Sequence, residues 1–170
     1  MITTQRISPC LWFDDQAEEA ARFYVGIFEN SRIVAITRYG KAGFDVHQRP
    51  AGSVMTVAFE LDGQSFTALN GGPLFTFNEA ISLQVNCATQ DEIDYYWEKL
   101  TAGGDPRAQQ CGWLKDRYGV SWQVVPHGME EMLEDPESPG AERAMDAMLQ
   151  MKKIDMAEKA TWAEDFAGAW

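Results

Sequence analysis

Residues 111–126, CGWLKDRYGVSWQVVP, read as a β-hairpin. Trp113 and Leu114 end one strand, Asp116-Arg117-Tyr118-Gly119 forms the turn, and Val120 to Val125 runs back. Gly119 suits a turn position with positive φ, which a residue carrying a Cβ adopts only at a cost. The returning strand mixes β-branched and aromatic residues, and Pro126, with no backbone N–H to donate, ends it.

An earlier stretch has the same plan. Val54 to Asn70, VMTVAFELDGQSFTALN, reads strand, Asp62-Gly63 turn, strand. Gly63-Gln64-Ser65-Phe66-Thr67 aligns with Gly119-Val120-Ser121-Trp122-Gln123, 56 residues on. Each hairpin is preceded by a helix. Ala20, Phe23, Tyr24 and Ile27 fall at i, i+3, i+4 and i+7, and so do Ile93, Tyr96, Trp97 and Leu100. That spacing puts each set on one helical face. Asp15 with Glu18, and Thr89 with Glu92, have capping-box spacing ahead of the two stripes.

Strands complete the two units. Ile7 to Phe13 and Ala80 to Cys87 read as the first strand of each. Arg32 to Tyr39 follows the first helix, with Ile33, Ala35 and Thr37 on one face and Val34, Ile36 and Arg38 on the other. A short strand around Ala108 to Cys111 is expected after the break at Gly103-Gly104-Asp105-Pro106. The chain is thus α+β: two tandem βαβββ modules, 7–70 and 80–126, joined by a linker over 71–79 within a domain of residues 1–127. The first module carries 17 extra residues, which matches the Gly40 to Gly52 segment, read as a solvated loop or a lid or dimer contact. One module leaves a sheet face uncovered. The partner module is expected to cover it, so that two curved sheets enclose a cleft fit for a small ligand.

Residues 128–170 form a helical C-terminal extension in this reading. His127 to Glu134 is a short helix, Asp135 to Gly140 breaks it, and Ala141 to Lys152 is a helix with Met145, Met148, Leu149 and Lys152 on one side. Ile154 to Trp170 is helical too. The extension cannot form a core alone and must pack on the sheets or on a second subunit.

Charge and composition exclude several classes. The net charge is −12 and the pI near 4.5. Neither nucleic-acid phosphate nor an anionic lipid surface suits such a chain. No apolar run is long enough to span a bilayer and Met1-Ile2-Thr3-Thr4 starts no signal peptide, so the expected compartment is the cytoplasm. Cys10, Cys87 and Cys111 are odd in number and set among apolar residues, the pattern of buried reduced thiols.

Paired βαβββ modules resemble the vicinal oxygen chelate, or glyoxalase and bleomycin-resistance-like, superfamily. The closer likeness is to its PhnB-like branch, often labelled 3-demethylubiquinone-9 3-methyltransferase. The residues that carry it are Ser8 to Asp14 running into Ala17 to Ala20 and Phe23-Tyr24, Phe66 to Pro73, Gln84 to Cys87, Tyr95 to Trp97, Cys111 to Asp116, Ser121 to Pro126, and Met148 to Asp155. The resemblance implies a homodimer. It also implies a divalent metal held by His, Gln or Glu from the first and last strand of each module. Here those places carry Ser8 or Pro9 with Thr67, and Ala80, Ile81 or Ser82 with Gln123; none is His or Glu. Only Gln123 could serve, as a weak ligand, so no cofactor is predicted; a divalent metal stays open as the alternative but is not supported by these positions. Methyl transfer by a nucleotide-type donor needs a glycine-rich turn opening a helix, and neither Gly71-Gly72 nor Gly103-Gly104 opens one.

Candidate ligand contacts are the strand aromatics Trp12, Phe66, Trp113 and Trp122 and the strand amides Asn70, Gln84, Asn86 and Gln123. Aromatic strand residues serve a core equally well, and buried amides need partners of some kind. His47 and His127 are the candidate general bases. The expected function is small-molecule binding in the inter-sheet cleft without the usual metal ligands. The alternative is a metal-dependent chelate enzyme of lyase, dioxygenase or resistance type; a third is a structural module whose cleft is filled by its own side chains.

Overall fold

The computed structural model describes residues 5–129 and 139–156. The chain divides into two compact units, Met1–Phe77 and Asn78–Trp170.

The first unit is a four-stranded sheet, ordered β1-β4-β3-β2, with one principal helix. Its strands are β1 (Cys10–Phe13), β2 (Arg32–Arg38), β3 (Val54–Leu61) and β4 (Gln64–Asn70). β1 runs parallel to β4, and the other pairs are antiparallel. Burial alternates along β3 and β4: Val57, Phe59, Leu61, Phe66, Ala68 and Asn70 are buried, and the residues between them are not. Helix α1 (Ala17–Val25) covers the buried face with Ala17, Ala20, Ala21 and Tyr24. Tyr24 stacks on Phe59 at 6.4 Å between centroids, and Phe59 on Phe66 at 5.4 Å.

Three local expectations change here. β1 starts at Cys10, not Ile7: Pro9 has no N–H for the ladder, and Ile7 is exposed. The Asp15–Glu18 capping box does not form. Gln16 takes the N-cap position without a side-chain bond, and the Oδ1 of Asn70, at the end of β4, accepts from Ala17 N at 2.8 Å. Glu18 instead pairs with Arg22 one turn on, at 2.7 Å. In β2 a register shift between Ile33 and Ala35 breaks strict alternation, so Ile33 pairs with Phe59 and Ile36 with Val57, on the same face. Between β2 and β3 lies a single-turn helix, α2 (Phe44–His47), entered and left through left-handed residues, Gly43 (φ 77°) and Gln48 (φ 52°).

The second unit has a three-stranded sheet, β5-β7-β6, from β5 (Leu83–Cys87), β6 (Trp113–Lys115) and β7 (Ser121–Pro126). β5 is parallel to β7, and β6 is antiparallel to it. Helix α3 (Gln90–Thr101) buries Ile93 and Leu100. Its cap is nearly the expected box: Thr89 Oγ1 accepts from Glu92 N at 3.2 Å, and Glu92 Oε2 accepts from Ala88 N at 2.6 Å.

No strand forms at Ala108 to Cys111. A 3₁₀ turn (Pro106–Ala108) precedes an isolated bridge from Gln110 to Trp113. Cys111 (φ 52°) and Gly112 (φ 79°) are both left-handed, which no strand sustains. Their amides turn to the C-terminal segment: Cys111 N donates to Met151 O at 2.9 Å and Gly112 N to Lys152 O at 2.8 Å. Gln110 Nε2 adds a bond to Leu149 O at 2.6 Å. Gln90 holds the same segment through Ile154 O (3.2 Å) and Met156 N (2.7 Å), and Ile154 is buried. The extension is thus held against the turn at Gln110 to Gly112 and against Gln90.

Helix α4 (Pro139–Gln150) begins slightly before the predicted start. Ala141 and Ala144 are buried, whereas Met145 and Leu149, on the side that carries Met148, are exposed. Methyl side chains let a helix backbone approach its neighbours closely. The helices expected at His127 to Glu134 and Ile154 to Trp170 lie largely outside the described residues.

Candidate functional site

Register and pleat assign the candidate residues to faces. In the first unit Trp12 pairs with Leu69, on the face away from α1. Its Nε1 donates to Gly72 O at 2.8 Å and its ring meets Phe75 edge-on. Phe66 and Asn70 lie on the opposite, helix-covered face. Phe66 is core. Asn70 is an internal connector: besides capping α1, its Nδ2 donates to Val54 O at 3.1 Å and its backbone O accepts from Tyr39 OH at 2.6 Å.

His47 is engaged within its own loop. Nδ1 accepts from Arg49 N at 2.9 Å, and Nε2, 3.1 Å from Ala42 O, is left as the protonated nitrogen that donates there. The ring lies 4.5 Å from that of Tyr39. Arg49 returns to the start of α1, pairing with Asp14 Oδ1 at 3.0 Å. A polar recess of about 220 Å³ there is bordered by Asp15, Glu18, Arg49, Ser53 and Asn70.

The second unit gathers more of the predicted set. Gln84 pairs in register with Gln123, and Gln123 with Trp113, so all three project from one face, as does Asn86 two residues beyond Gln84. Gln84 Nε2 donates to Asn86 Oδ1 at 2.8 Å, and Gln123 Nε2 to Ser82 Oγ at 2.9 Å. Trp122 faces the other way. It is 2 % exposed, and its indole N–H donates to Asp116 Oδ2 at 2.8 Å. His127 follows β7 with an exposed side chain, and its amide donates to Cys87 O at 2.7 Å.

Beside the amide cluster is a cavity of about 450 Å³, bordered among others by Glu79, Cys111, Trp113, Leu114, Lys115 and Ser121. That volume is within the range of small-molecule pockets. Ser121 is 2 % exposed, and its Oγ is buried without a hydrogen-bond partner among the described residues. Buried hydroxyls are rarely left so, because the lost hydration is not otherwise recovered. Lys115 pairs in register with Ser121, which sets both side chains on the same face. The Lys115 ammonium forms an ion pair with Glu79 Oε1, and that hydrogen bond holds the Glu79 carboxyl below its ordinary value.

Sequence reasoning passed over Glu79, Lys115 and Ser121 as site residues. A period-2 signal was available: Ser121 stands two residues before Gln123, and Lys115 two after Trp113. The thiols also separate. Cys87 is buried, Cys111 half-buried and Cys10 exposed, so the expectation of three buried thiols fails at Cys10, which lies on the sheet face away from α1.

The described residues do not fit a divalent-metal site. Thr67 faces Cys10 in the first sheet, and Gln123 is bonded to Ser82 in the second. No group of three or more His, Cys, Asp or Glu among the described residues is placed to hold a metal. Both glycine pairs are explained by packing. A Cβ on Gly71 would stand 2.2 Å from the Trp12 ring, and one on Gly104 2.1 Å from Lys115 O.

Comparison with known proteins places this arrangement. The family model for 3-demethylubiquinone-9 3-methyltransferase matches residues 5–125. A Bacillus cereus structure bearing that label and the name PhnB is 39 % identical, covers 72 % of this chain and 99 % of its own, and superposes with a TM-score of 0.61. The protein PA1353 from Pseudomonas aeruginosa is 20 % identical (73 % and 98 % covered, TM-score 0.54). A mutant of the fosfomycin resistance protein FosX from Listeria monocytogenes, complexed with Mn(II) and a dihydroxypropylphosphonic acid, is 19 % identical (79 % and 100 % covered, TM-score 0.51). At these lower identities the likeness is one of fold. No curated protein matched the chain. With a family match across both sheets and a relative at 39 % identity, the chain belongs to the PhnB-like, 3-demethylubiquinone-9 3-methyltransferase family.

Proposed function

We propose that this protein binds a small organic molecule in the second unit's cavity, without a divalent metal, and works as a homodimer. The observation that carries the reading is the unpartnered, buried Oγ of Ser121 at the wall of a cavity of about 450 Å³. A ligand with one polar atom there would complete the hydroxyl's hydrogen bonding, and Trp113 would cover its apolar part. The amides Gln84, Asn86 and Gln123 share the face and extend the polar edge of the site. The methyl-transfer label finds no support in the glycine pairs, whose neighbours are Trp12 and Lys115. The dimer rests on the family resemblance.

The test is native mass spectrometry of the purified protein without chelator, followed by a ligand-observed NMR screen of fragments on wild type and Trp113→Ala. A dimer carrying organic mass, or fragments whose binding is lost in Trp113→Ala, supports the reading. Fragment binding indifferent to Trp113, or no fragment binding at all, refutes the site. One Mn(II) per subunit retained through desalting refutes the metal-free part.

A further inference from the structure

The cavity has a charge arrangement that points to its ligand class. Among the described residues lining it, Lys115 is the only cation and Glu79 the only anion. The two are unlike in placement. Lys115 is fixed on β6, its side chain 26 % exposed, while Glu79 precedes β5 outside any strand, its side chain 63 % exposed. Lys115 has three N–H donors on its ammonium, and Ser121, directly across the strand pair, offers an O–H that no described residue accepts. Both donors thus stand on one sheet face at the cavity wall, the face that also carries Trp113. A donor pair of this kind is matched by a carboxylate, which accepts through two oxygens.

Resting on the binding reading above, we propose that the cavity takes small carboxylic acids with an apolar body, and that Glu79 is a built-in competitor for the same ammonium. The ligand carboxylate replaces that of Glu79 on Lys115 and accepts from Ser121 Oγ; its hydrocarbon lies on Trp113. Glu79 swings into solvent, which its exposure permits. The net charge of −12 opposes anions only at long range, and at physiological salt that field is screened within roughly 8 Å. Contact with Lys115 then decides.

The probes are 4-phenylbutyrate and its neutral isostere 4-phenylbutanamide, titrated calorimetrically into wild type, Glu79→Gln and Lys115→Met. Equal melting temperatures serve as the folding control. Glu79→Gln should tighten the carboxylate roughly threefold to fivefold, the size of an exposed ion pair, and leave the amide unchanged. Lys115→Met should erase the preference for carboxylate over amide. Should the amide bind wild type as tightly as the carboxylate, or Glu79→Gln leave the carboxylate affinity unmoved, this inference is wrong and the binding reading stands. Absence of binding by both probes also overturns it; the fragment screen then decides whether the binding reading falls as well.

Discussion

Replacing Asp116 should loosen the hairpin that sets Lys115 against Ser121. Asp116 is 3 % exposed, and its carboxylate accepts hydrogen bonds from Tyr118 N at 2.8 Å, Val120 N at 3.1 Å and Trp122 Nε1 at 2.8 Å. Asp116→Ala strands two backbone amides and an indole N–H. Each bond to a charged acceptor contributes about 1.5–3 kcal/mol. Water reaches the partly buried Tyr118 amide and the losses are not additive, so the total should be about 3–5 kcal/mol. Asp116→Asn keeps an oxygen for the two amides but turns an NH₂ toward the indole N–H. That donor-to-donor contact should cost about 2 kcal/mol. Trp122→Phe in the Asn background removes the opposing donor and should recover part of the loss. Urea unfolding followed by tryptophan fluorescence reads these values as midpoint shifts at constant slope. An Asp116→Asn protein within 0.5 kcal/mol of wild type would refute the reasoning, since the indole bond would then contribute nothing. The same variant should weaken cavity ligands, because Lys115 and Ser121 flank the turn directly.

Asn70→Ala should destabilise the first unit by about 2 kcal/mol, losing the α1 cap and a buried amide bond, whereas Asp15→Ala should fall within about 0.5 kcal/mol of wild type; equal thermal shifts would contradict the assigned cap. Gly104→Ala places a Cβ 2.1 Å from Lys115 O, against backbone that cannot rotate away, and should cost about 3 kcal/mol and abolish cavity binding, read by calorimetry and thermal melts. Burial pushes the Cys87 thiol up to about 12, so a thiol reagent at pH 8 should titrate Cys10 and Cys111 first and Cys87 only on unfolding. The linked stability effect has a definite sign: below 9.0 the thiol is neutral in both states, and from 9.0 toward about 12 the unfolded chain alone loses the proton, so stability contributed there declines as pH rises. A Cys87→Ala variant with the same decline would remove Cys87 as its cause.

Periodicity in the sequence was sufficient for both principal helices, the Asp62-Gly63 and Asp116 to Gly119 turns and the α+β class, because these follow from local spacing. The likeness to the PhnB-like family was legible in the same residues. What failed was decided by contacts distant in sequence. The cap of α1 comes from Asn70, 53 residues away, so no local box predicts it. The second sheet lacks the expected edge strand because Cys111 and Gly112 turn left-handed and bond to Met151 and Lys152. Among the ligand candidates, aromatic identity alone does not tell a face. Register sent Phe66 and Trp122 to helix-covered cores and left Trp113 beside the cavity, since a strand side chain's face depends on its pairing and not on its chemistry. Lys115 and Ser121 were ordinary residues in the chain; only antiparallel pairing across the turn put an ammonium and an unpartnered hydroxyl side by side.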